Sequence, residues 1–317
     1  MPTKPRITVI GSLNMDMVVQ APRIPEPGET VLGDDFNTYF GGKGSNQAVA
    51  AARMGGTVTM IGRVGEDEFG PRLLKNLQDN SVNTDYMIID AEAPSGVATI
   101  TVDRIGQNII VVASGANFRL TEADIDAAQE VIKDYWVVLQ LETPIETVMH
   151  AANLAKDIAA GVILNPAPSR PLQESLLESV AVLVPNEPEM GLLTGMPVAT
   201  MSQMEKAARG LLKRGPGAVV VTLGSRGALV VEEDQPGVHL QPHAVRSIDA
   251  TGAGDAFVGA LAVGLAEGLS LVEAAKLANG TAALSVKVPG AQRAMPTRTD
   301  VERFIADQQA IEQEQAE

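Results

Sequence analysis

The sequence contains no cysteine, and this absence excludes disulfides, thiolate metal sites and cysteine nucleophiles together. Histidine is also scarce, and His150, His239 and His243 show no spacing typical of a metal site, such as His-x-x-x-His. No Gly-x-Ser-x-Gly segment, the usual setting of a hydrolase serine, occurs. The sequence therefore offers little support for zinc chemistry or covalent hydrolysis.

Positive charge is in short supply. The chain has 24 lysines and arginines against 39 aspartates and glutamates, which gives a formal net charge of −15. Such a molecule repels a nucleic-acid backbone or an anionic membrane surface and does not release counterions from either. We expect no nucleic-acid partner and no membrane partner.

Long apolar runs are missing as well. The run Ile7–Ile10 is too short for the core of a signal peptide, and no run approaches the roughly 18 apolar residues of a membrane span. The lack of cysteine suits a reducing compartment. These absences predict a cytoplasmic location.

What the chain does contain is an alternation of short β-branched runs with alanine- and leucine-rich stretches over 317 residues, enough for one large domain or two smaller ones. The runs that predict buried strands are Ile7–Ile10, Val58–Ile61, Trp136–Leu141, Val162–Leu164, Val182–Val184 and Val219–Thr222. Strands covered on both sides lose their polar alternation. The pattern therefore predicts a parallel α/β sheet with helices on both faces.

Two of the predicted helices carry end signals. Ser45–Met54 is followed by a Gly55-Gly56 stop, and Glu122–Ile132 begins after Thr121 as N-cap, with Asp124 at the third helical position.

Two stretches interrupt the alternation. Met15–Gln20 and Thr30–Phe40 flank a proline-rich turn, while Gly96–Val102 and Asn108–Val112 flank a five-residue loop typical of a β-hairpin. Four strands without helices between them predict a small accessory sheet, formed by two separated parts of the chain. The alternative is that these strands extend the edge of the main sheet.

The segment Gly41–Ala48 opens a predicted helix, so its amides can approach an anion or a polyol. It is not a P-loop, because Asn37 stands where the first glycine would be and Gly44 follows the lysine. Taken alone, the segment is equally compatible with a structural turn from strand to helix.

A second segment, Asp249–Phe257, leads into an apolar helix. Small residues before a helix leave backbone N–H groups open to negative oxygens, and Asp255 stands at this point. An aspartate here can also be a simple helix cap. An anion-binding turn together with a carboxylate is, however, what phosphoryl transfer to a hydroxyl requires.

Two weaker segments follow predicted strands. Asn186-Glu187-Pro188-Glu189 places oxygen ligands suited to hydrated Mg²⁺ at a helix start, although a capped helix is the simpler interpretation. The segment Thr222–Gly227 is typical of a tight turn with exposed amides and hydroxyls.

Together, Gly41–Ala48 and Asp249–Asp255 resemble the two signatures of the ribokinase family of carbohydrate kinases, and the segments between them strengthen the likeness over nearly the whole chain. The resemblance implies a three-layer α/β sandwich with a mostly parallel central sheet and a small β-sheet lid. It implies transfer of the γ-phosphoryl group of ATP to O5 of D-ribose, with Mg²⁺ accompanying ATP and K⁺ as a monovalent activator. It further implies a homodimer formed through the lid.

The resemblance also implies roles for individual residues. The implied sugar ligands are Asn14, Asp16, Gly42, Lys43, Asn46, Glu142 and Asp255. Asp255 matches the catalytic base, and Gly252, Ala253 and Gly254 match the anion hole. The implied nucleotide, Mg²⁺ and phosphate contacts are Asn186, Glu189, Thr222, Gly224, Ser225, Gly227, Gly254 and Asn279.

The implied monovalent-cation loop comprises Asp249, Thr251, Ser285, Val288, Gly290 and Ala294. Two positions depart from the family pattern. Ala250 replaces a residue that is usually β-branched or hydroxylated, and Ala294 removes a serine oxygen that is common there. The implied domain division assigns residues 1–13, 41–95 and 114–317 to the main domain and residues 14–40 and 96–113 to the lid.

Other functions remain open on the sequence alone. A related kinase acting on 2-deoxyribose, another pentose or a nucleoside would share the same motifs. A noncatalytic sugar or nucleotide sensor could retain the fold. A dinucleotide-dependent dehydrogenase is disfavoured, because no Gly-x-Gly-x-x-Gly segment follows the first predicted strand.

Overall fold

The computed structural model describes residues 4–158 and 160–316 of the chain. Its strands are β1 (Arg6–Ile10), β2 (Asn14–Gln20), β3 (Asp35–Gly41), β4 (Thr57–Gly65), β5 (Val82–Asp90), β6 (Gly96–Val102), β7 (Asn108–Ala113), β8 (Trp136–Leu139), β9 (Gly161–Leu164), β10 (Val182–Leu183), β11 (Ala218–Thr222), β12 (Ala228–Glu232) and β13 (Val238–Leu240).

Helices lie between most of these strands. They are α1 (Lys43–Arg53), α2 (Gly70–Asp79), α3 (Glu122–Asp126), α4 (Ile145–Asp157), α5 (Glu174–Leu177), α6 (Glu187–Thr194), α7 (Met201–Leu212), α8 (Ala253–Ala266), α9 (Leu271–Ser285), α10 (Ala291–Ala294) and α11 (Arg298–Ala316).

The described strands form a main sheet of nine, in the order β13-β12-β11-β10-β9-β8-β1-β4-β5. The neighbours from β11 to β5 pair in parallel, and β12 and β13 add two antiparallel pairings at one edge. The predicted mostly parallel α/β sheet is confirmed. The antiparallel edge was not predicted.

Both faces of the main sheet are covered by helices. Successive side chains of a strand point to opposite faces, so one strand contributes to both buried clusters. In β9, Ile163 joins a buried cluster with α1, α8 and α9, whereas Val162 and Leu164 join a second cluster with α4 and α7. The result is a three-layer sandwich whose two cores lie on either side of one sheet.

The four interrupting strands form a separate small sheet in the order β3-β2-β6-β7. The hairpin of β6 and β7 is confirmed, and its loop closes where the N–H of Asp103 donates to the carbonyl of Gln107 at 2.9 Å. The alternative, an extended edge of the main sheet, is wrong. The exact domain boundaries stay a prediction, and residues 1–3, 159 and 317 of that division lie outside the described residues.

Three predicted elements extend at least two residues beyond the elements that the structure has. The strand predicted from Thr30 begins at Asp35, because its partner β2 ends at Gln20 and the two residues pair. The strand predicted from Trp136 to Leu141 ends at Leu139, where its pairing with β1 and β9 ends.

The third is the predicted helix Glu122–Ile132, which ends at Asp126 and continues as a short 3₁₀ turn over Gln129–Val131. The N–H of Ala128 donates to the carbonyl of Ile125, so bonds of the i to i−3 type replace the α-helical ones. The predicted Thr121–Asp124 capping box at its start is present.

Within the described residues, no helix is long and apolar enough to cross a membrane.

Candidate active site

Several of the predicted site residues lie at or after the carboxyl ends of parallel strands of the main sheet. Glu142 follows β8, Asn186 follows β10 and Thr222 ends β11. In open α/β sheets, the carboxyl ends of the strands form the crevice in which ligands bind. The sheet therefore gathers residues that lie far apart in the sequence.

A cavity of about 230 Å³ opens at this edge. Its walls come from both signature segments and from the strand ends between them. They are formed by Lys43, Asn165, Ala167, Val184, Asn186, Glu189, Thr222, Ala250, Gly252, Gly254, Asp255 and Val258.

Asp255 lies in the first turn of α8 and is buried. It does not cap its own helix. Instead its Oδ2 accepts from Asn46 Nδ2 at 2.9 Å and its Oδ1 accepts from Gln47 Nε2 at 3.0 Å. Burial raises the pKa of Asp255 above its usual value, against the lowering effects of the Lys43 charge and the two amide donors. A carboxylate with such a pKa is suited to accept a proton from a substrate.

A chain of buried amides supports Asp255, and sequence reasoning assigned its members no role. Gln140 Nε2 donates to Gln47 Oε1 at 2.7 Å, and Gln47 Nε2 lies within 3.1 Å of Asn165 Oδ1. Asn165 in turn donates to the carbonyl of Val184 at 2.9 Å. No local sequence pattern predicts these contacts, because each contact joins residues from different elements.

Lys43 is the positive charge at the centre of the site. Burial lowers its pKa, but the negative charges of Asp255, Glu142 and Glu189 outweigh burial and raise the pKa above its ordinary value. Lys43 therefore stays protonated. It compensates only part of the carboxylate charge around it, so the site suits a substrate that arrives with a cation.

Asn14 and Asp16 lie on the same face of β2, two residues apart. Burial, followed by the charges of Glu142 and Asp255, raises the pKa of Asp16 to about 7. Its carboxyl packs so closely on Gly41 that a Cβ there would lie 2.2 Å from Oδ2. The main-domain residues thus face a titratable carboxyl contributed by the small sheet.

Glu142 is fixed by two donors from the other side. Its Oε2 accepts from Ser12 Oγ at 2.5 Å and from the N–H of Lys43 at 3.0 Å. Ser12, which sequence reasoning missed, also accepts from the N–H of Gly44 at 3.3 Å. The helix start and the strand end are therefore tied together through one carboxylate.

The turn before α8 leaves backbone N–H groups free. Gly252 has a φ of 76°, a left-handed conformation that glycine adopts without a steric penalty. Among the described residues, the N–H groups of Gly252 and Gly254 have no protein acceptor, while that of Ala253 donates to the carbonyl of Ala250 at 3.2 Å. Two of the three predicted anion-hole amides are thus open to a ligand.

Asn186 and Glu189 form a reciprocal capping box at the start of α6. Asn186 Oδ1 accepts from the N–H of Glu189 at 2.9 Å, and Glu189 Oε2 accepts from the N–H of Asn186 at 2.8 Å. Burial raises the pKa of Glu189 above its usual value. The capped-helix interpretation is correct, and the same two residues also line the cavity.

No group of three or more His, Asp or Glu side chains able to hold a metal occurs in the described part of the chain. A protein cage for Mg²⁺ is therefore not formed. Asn186 and Glu189 still fit an ion that keeps most of its waters and is bound to substrate phosphates, which is the usual state of Mg²⁺ in phosphoryl transfer.

The remaining predicted nucleotide contacts lie beyond the cavity wall. Gly224 and Ser225 form a 3₁₀ turn after β11, closed by Gly227. Asn279 Nδ2 donates to the carbonyl of Gln241 at 2.8 Å. Gly224 and Ser225 are exposed, whereas Gly227 is buried.

The predicted cation loop is partly assembled. Asp249 Oδ1 accepts from Thr251 Oγ1 at 2.7 Å, and Asp249 Oδ2 accepts from the N–H of Gly290 at 2.8 Å. Ser285 Oγ donates to the carbonyl of Ala282 at 2.8 Å, and the N–H of Val288 donates to the carbonyl of Ser285 at 3.3 Å. Ala294 is buried in α10 and offers no side-chain oxygen.

A larger hollow of about 540 Å³ lies on α7, lined by side chains such as Glu205, Lys206 and Arg209. It is open to solvent, and none of the predicted site residues reaches it. Its size therefore does not make it the better candidate.

Comparisons with known proteins show the family to which the chain belongs. The family model described as "pfkB family carbohydrate kinase" matches residues 4–298. The chain is 42% identical to a ribokinase of Bacillus subtilis over 303 residues, covering 95% of this chain and 99% of the relative. It is 40% identical to a deoxyribokinase of Salmonella typhi over 302 residues, covering 95% and 98%.

A solved structure shows that the similarity extends to the fold. The Arabidopsis thaliana ribokinase complexed with ribose and ATP superposes with a TM-score of 0.90 at 34% identity, over 95% of this chain and 99% of that one.

Proposed function

Because the chain belongs to the pfkB family of carbohydrate kinases, we propose that it transfers the γ-phosphoryl group of ATP to O5 of D-ribose, giving D-ribose 5-phosphate and ADP. The observation that carries the proposal is the position of Asp255. It is a buried carboxylate of raised pKa at a helix start, beside open amides and within reach of the Asp16 and Glu142 charges.

In the proposed reaction, the sugar hydroxyl attacks the γ-phosphorus while Asp255 accepts the hydroxyl proton. A bond forms between O5 and phosphorus, and the bond from phosphorus to the bridging oxygen breaks, so that ADP leaves with the electron pair. The free N–H groups of Gly252 and Gly254 face the negative charge that develops on the phosphoryl oxygens.

The sugar is held by polar groups from both sheets. We assign this role to Asn14, Asp16, Gly42, Lys43, Asn46 and Glu142, together with Asp255. A small polyol has many hydroxyls and little apolar surface, so it requires several directional donors and acceptors. Asn46 supports this assignment, because its Oδ1 is buried and has no protein partner among the described residues.

The nucleotide role is assigned to Asn186, Glu189, Thr222, Gly224, Ser225, Gly227, Gly254 and Asn279. Mg²⁺, when bound with ATP, supplies positive charge to the phosphates. Asn186 and Glu189 would hold the waters around it, and Lys43 and the amides of the α8 turn would hold the phosphoryl oxygens.

The small sheet is assigned the role of a lid. Its strand β2 carries Asn14 and Asp16, so closing the sheet over the sugar would complete the site and exclude water. Excluding water limits the wasteful transfer of the phosphoryl group to a water molecule.

The lid is also the proposed surface of a homodimer. Strand β7 exposes Ile109, Ile110, Val111 and Val112 by 45–63%, and Phe36 on β3 is 56% exposed. An apolar edge strand of this kind invites pairing with another chain. Sedimentation velocity of the intact chain and of Val111→Lys tests this role, since a monomer in both cases would refute it.

Activation by K⁺ is assigned to the loop of Asp249, Thr251, Ser285, Val288, Gly290 and Ala294. Its support is the Asp249 side chain, which joins the loop before α8 to Gly290. Comparing rates in K⁺ and in tetramethylammonium salts at equal ionic strength tests it, and equal rates would refute it. A cytoplasmic location is part of the proposal because the reaction consumes ATP.

Phosphorylation of 2-deoxy-D-ribose is the second candidate, favoured by the 40% identity to the Salmonella typhi deoxyribokinase. The deciding experiment measures ADP formation with D-ribose, 2-deoxy-D-ribose, other pentoses and nucleosides. We expect the largest kcat/KM with D-ribose, because each hydroxyl that donates a hydrogen bond to a carboxylate such as Asp16 strengthens binding, and 2-deoxy-D-ribose has one hydroxyl fewer. Equal kcat/KM for the two sugars would refute ribose preference, and the absence of any sugar-dependent ADP would refute the kinase and leave a sensor.

A further inference from the structure

Asn117 is a buried side chain that the proposed reaction does not use. It lies in the 3₁₀ turn Gly115–Arg119, which follows the last strand of the small sheet, and it is 1% exposed. Its amide makes two hydrogen bonds to Leu13, just before β2, and one to Asn14, the first residue of β2. Asn117 therefore joins the segment by which the chain leaves the small sheet after β7 to the segment by which it enters that sheet before β2.

The orientation of the Asn117 amide is fixed by backbone groups that cannot exchange roles. The N–H of Leu13 donates to Asn117 Oδ1 at 2.9 Å, and Asn117 Nδ2 donates to the carbonyl of Leu13 at 2.9 Å. A backbone N–H can only donate and a carbonyl can only accept. The Asn117 amide consequently has one orientation only.

This orientation is passed on to Asn14. Asn117 Nδ2 also donates to Asn14 Oδ1 at 2.8 Å, so the atom of Asn14 that faces Asn117 must be the oxygen. The nitrogen of Asn14 is left without a protein acceptor among the described residues. Asn14 shares its face of β2 with Asp16, whose carboxyl interacts with Glu142 and Asp255.

Gly96 makes the contact between the two asparagines possible. A Cβ at position 96 would lie 2.2 Å from Asn14 Oδ1 and 2.3 Å from Asn117 Nδ2. Any other residue at this position would push the two side chains apart. The first residue of β6 is thus adapted to the same hydrogen bond.

We propose that Asn117 is a positioning residue for sugar recognition: it holds the amide of Asn14 so that Asn14 Nδ2 donates to a sugar hydroxyl oxygen. The neighbouring Asp16 then accepts from a hydroxyl hydrogen, so the two side chains offer one donor and one acceptor. This inference rests on the proposed function, because it assigns a direction to the hydrogen bond that Asn14 makes with the sugar.

Asn117→Asp tests the direction. The substituted side chain keeps an acceptor for the N–H of Leu13 but loses the donor to Asn14, whose amide is then free to turn its oxygen towards the sugar. We expect KM for D-ribose to rise about tenfold, while kcat and KM for ATP stay within twofold. Asn153→Asp is the matched control, because Asn153 accepts one side-chain bond, from Ser179, on the distant helix α4.

A second variant reaches the same loss by another route. Asn14→Asp keeps an acceptor for Asn117 Nδ2, so the contact between the two positions survives, but it presents an oxygen to the sugar. It is therefore informative even where Asn117→Asp does not fold. We expect a similar rise in KM for D-ribose and in the Kd measured by calorimetry.

The sugar itself provides the final arm. Asn14 contacts one sugar hydroxyl, and the same hydrogen bond is lost whether that hydroxyl is removed or Asn117 is substituted. The effect of Asn117→Asp on kcat/KM should therefore largely vanish with one of the two sugars, 2-deoxy-D-ribose or 3-deoxy-D-ribose. Unchanged KM for ribose in both folded variants, an equal rise in KM for ATP, or additive losses with both deoxy sugars would overturn the inference. Failure of the proposed function would appear differently, as no ribose-dependent ADP from the unsubstituted protein.

Discussion

Gln47 Nε2 donates to Asp255 Oδ1 across 3.0 Å and so joins the second turn of α1 to the first turn of α8. The two residues are 208 positions apart in the sequence. Gln140 holds the opposite end of the Gln47 amide, which leaves Gln47 with one orientation. The carboxylate that we assign as the base is therefore set in place by a helix other than its own.

Asp255→Asn tests the role of the base. Removing the proton acceptor should lower kcat by about 10²- to 10⁴-fold, while ribose binding measured by calorimetry persists. The fold can accommodate the new amide, because Asn46 Oδ1 has no partner among the described residues and can accept from it once the Asn46 amide rotates. Turnover close to that of the unsubstituted protein would show that the base lies elsewhere.

Gln47→Met tests the support of Asp255. Burial raises the pKa of Asp255, and the Gln47 donor counteracts that rise. Without the donor the pKa rises further, the carboxyl holds its proton to higher pH, and the acid limb of the kcat profile should move to higher pH. Gln78→Met, at an exposed position of α2, is the matched control. An acid limb that stays in place in both variants would contradict this role.

Asp16 should give the sugar step its pH dependence. Because the pKa of Asp16 is raised to about 7, the carboxyl is largely protonated below that pH and ionised above it. The ionised form accepts from two hydroxyls, so kcat/KM for ribose should rise with pH through about 7. Asp16→Asn should remove this limb. A profile of the unsubstituted protein that is flat between pH 6 and 8 would contradict the assignment.

The same carboxyl should cost stability. The folded pKa of about 7 exceeds the ordinary value of 3.8 that applies after unfolding, so stability is lost as pH rises from about 4 to 7. Asp16→Asn should therefore raise the free energy of unfolding more at pH 8 than at pH 5, by on the order of a few kcal/mol. The difference should be seen as a larger rise in Tm at pH 8. The exposed Asp85→Asn serves as control. An equal Tm change at both pH values would refute the linkage.

Asn186→Ala separates the cap of α6 from the binding of Mg²⁺. Its matched control is Thr200→Ala, which removes the equivalent capping box from α7, outside the cavity. Both variants should lose about 1 kcal/mol of stability. Only Asn186→Ala should raise the Mg²⁺ concentration needed for half-maximal rate. An equal Mg²⁺ requirement in the two variants would reduce Asn186 to a helix cap.

Much of the fold could be predicted because its cause is local. Runs such as Val162–Leu164 are apolar on both faces, and that pattern predicts a strand covered on both sides. The capping box of Thr121 and Asp124 was predictable for the same reason. The start of the strand predicted from Thr30 could not be predicted, because the first residue of β3 is set by the last residue of its partner β2. The antiparallel edge of β12 and β13 could not be predicted either, because it has no sequence signal of its own.

The sequence by itself indicated the chemistry of the site: Asp255 after small residues at a helix start, and Asn14 with Asp16 as the sugar ligands that the family resemblance implies. Only the tertiary structure decided how these groups are oriented. The hydrogen bonds of Asn117 to Asn14 and of Gln47 to Asp255 span 103 and 208 residues. Over such distances no sequence periodicity connects two side chains. Their meeting depends on the order of strands in two sheets and on the packing of α1 against α8, which bring the donors to acceptors that would otherwise be buried without partners.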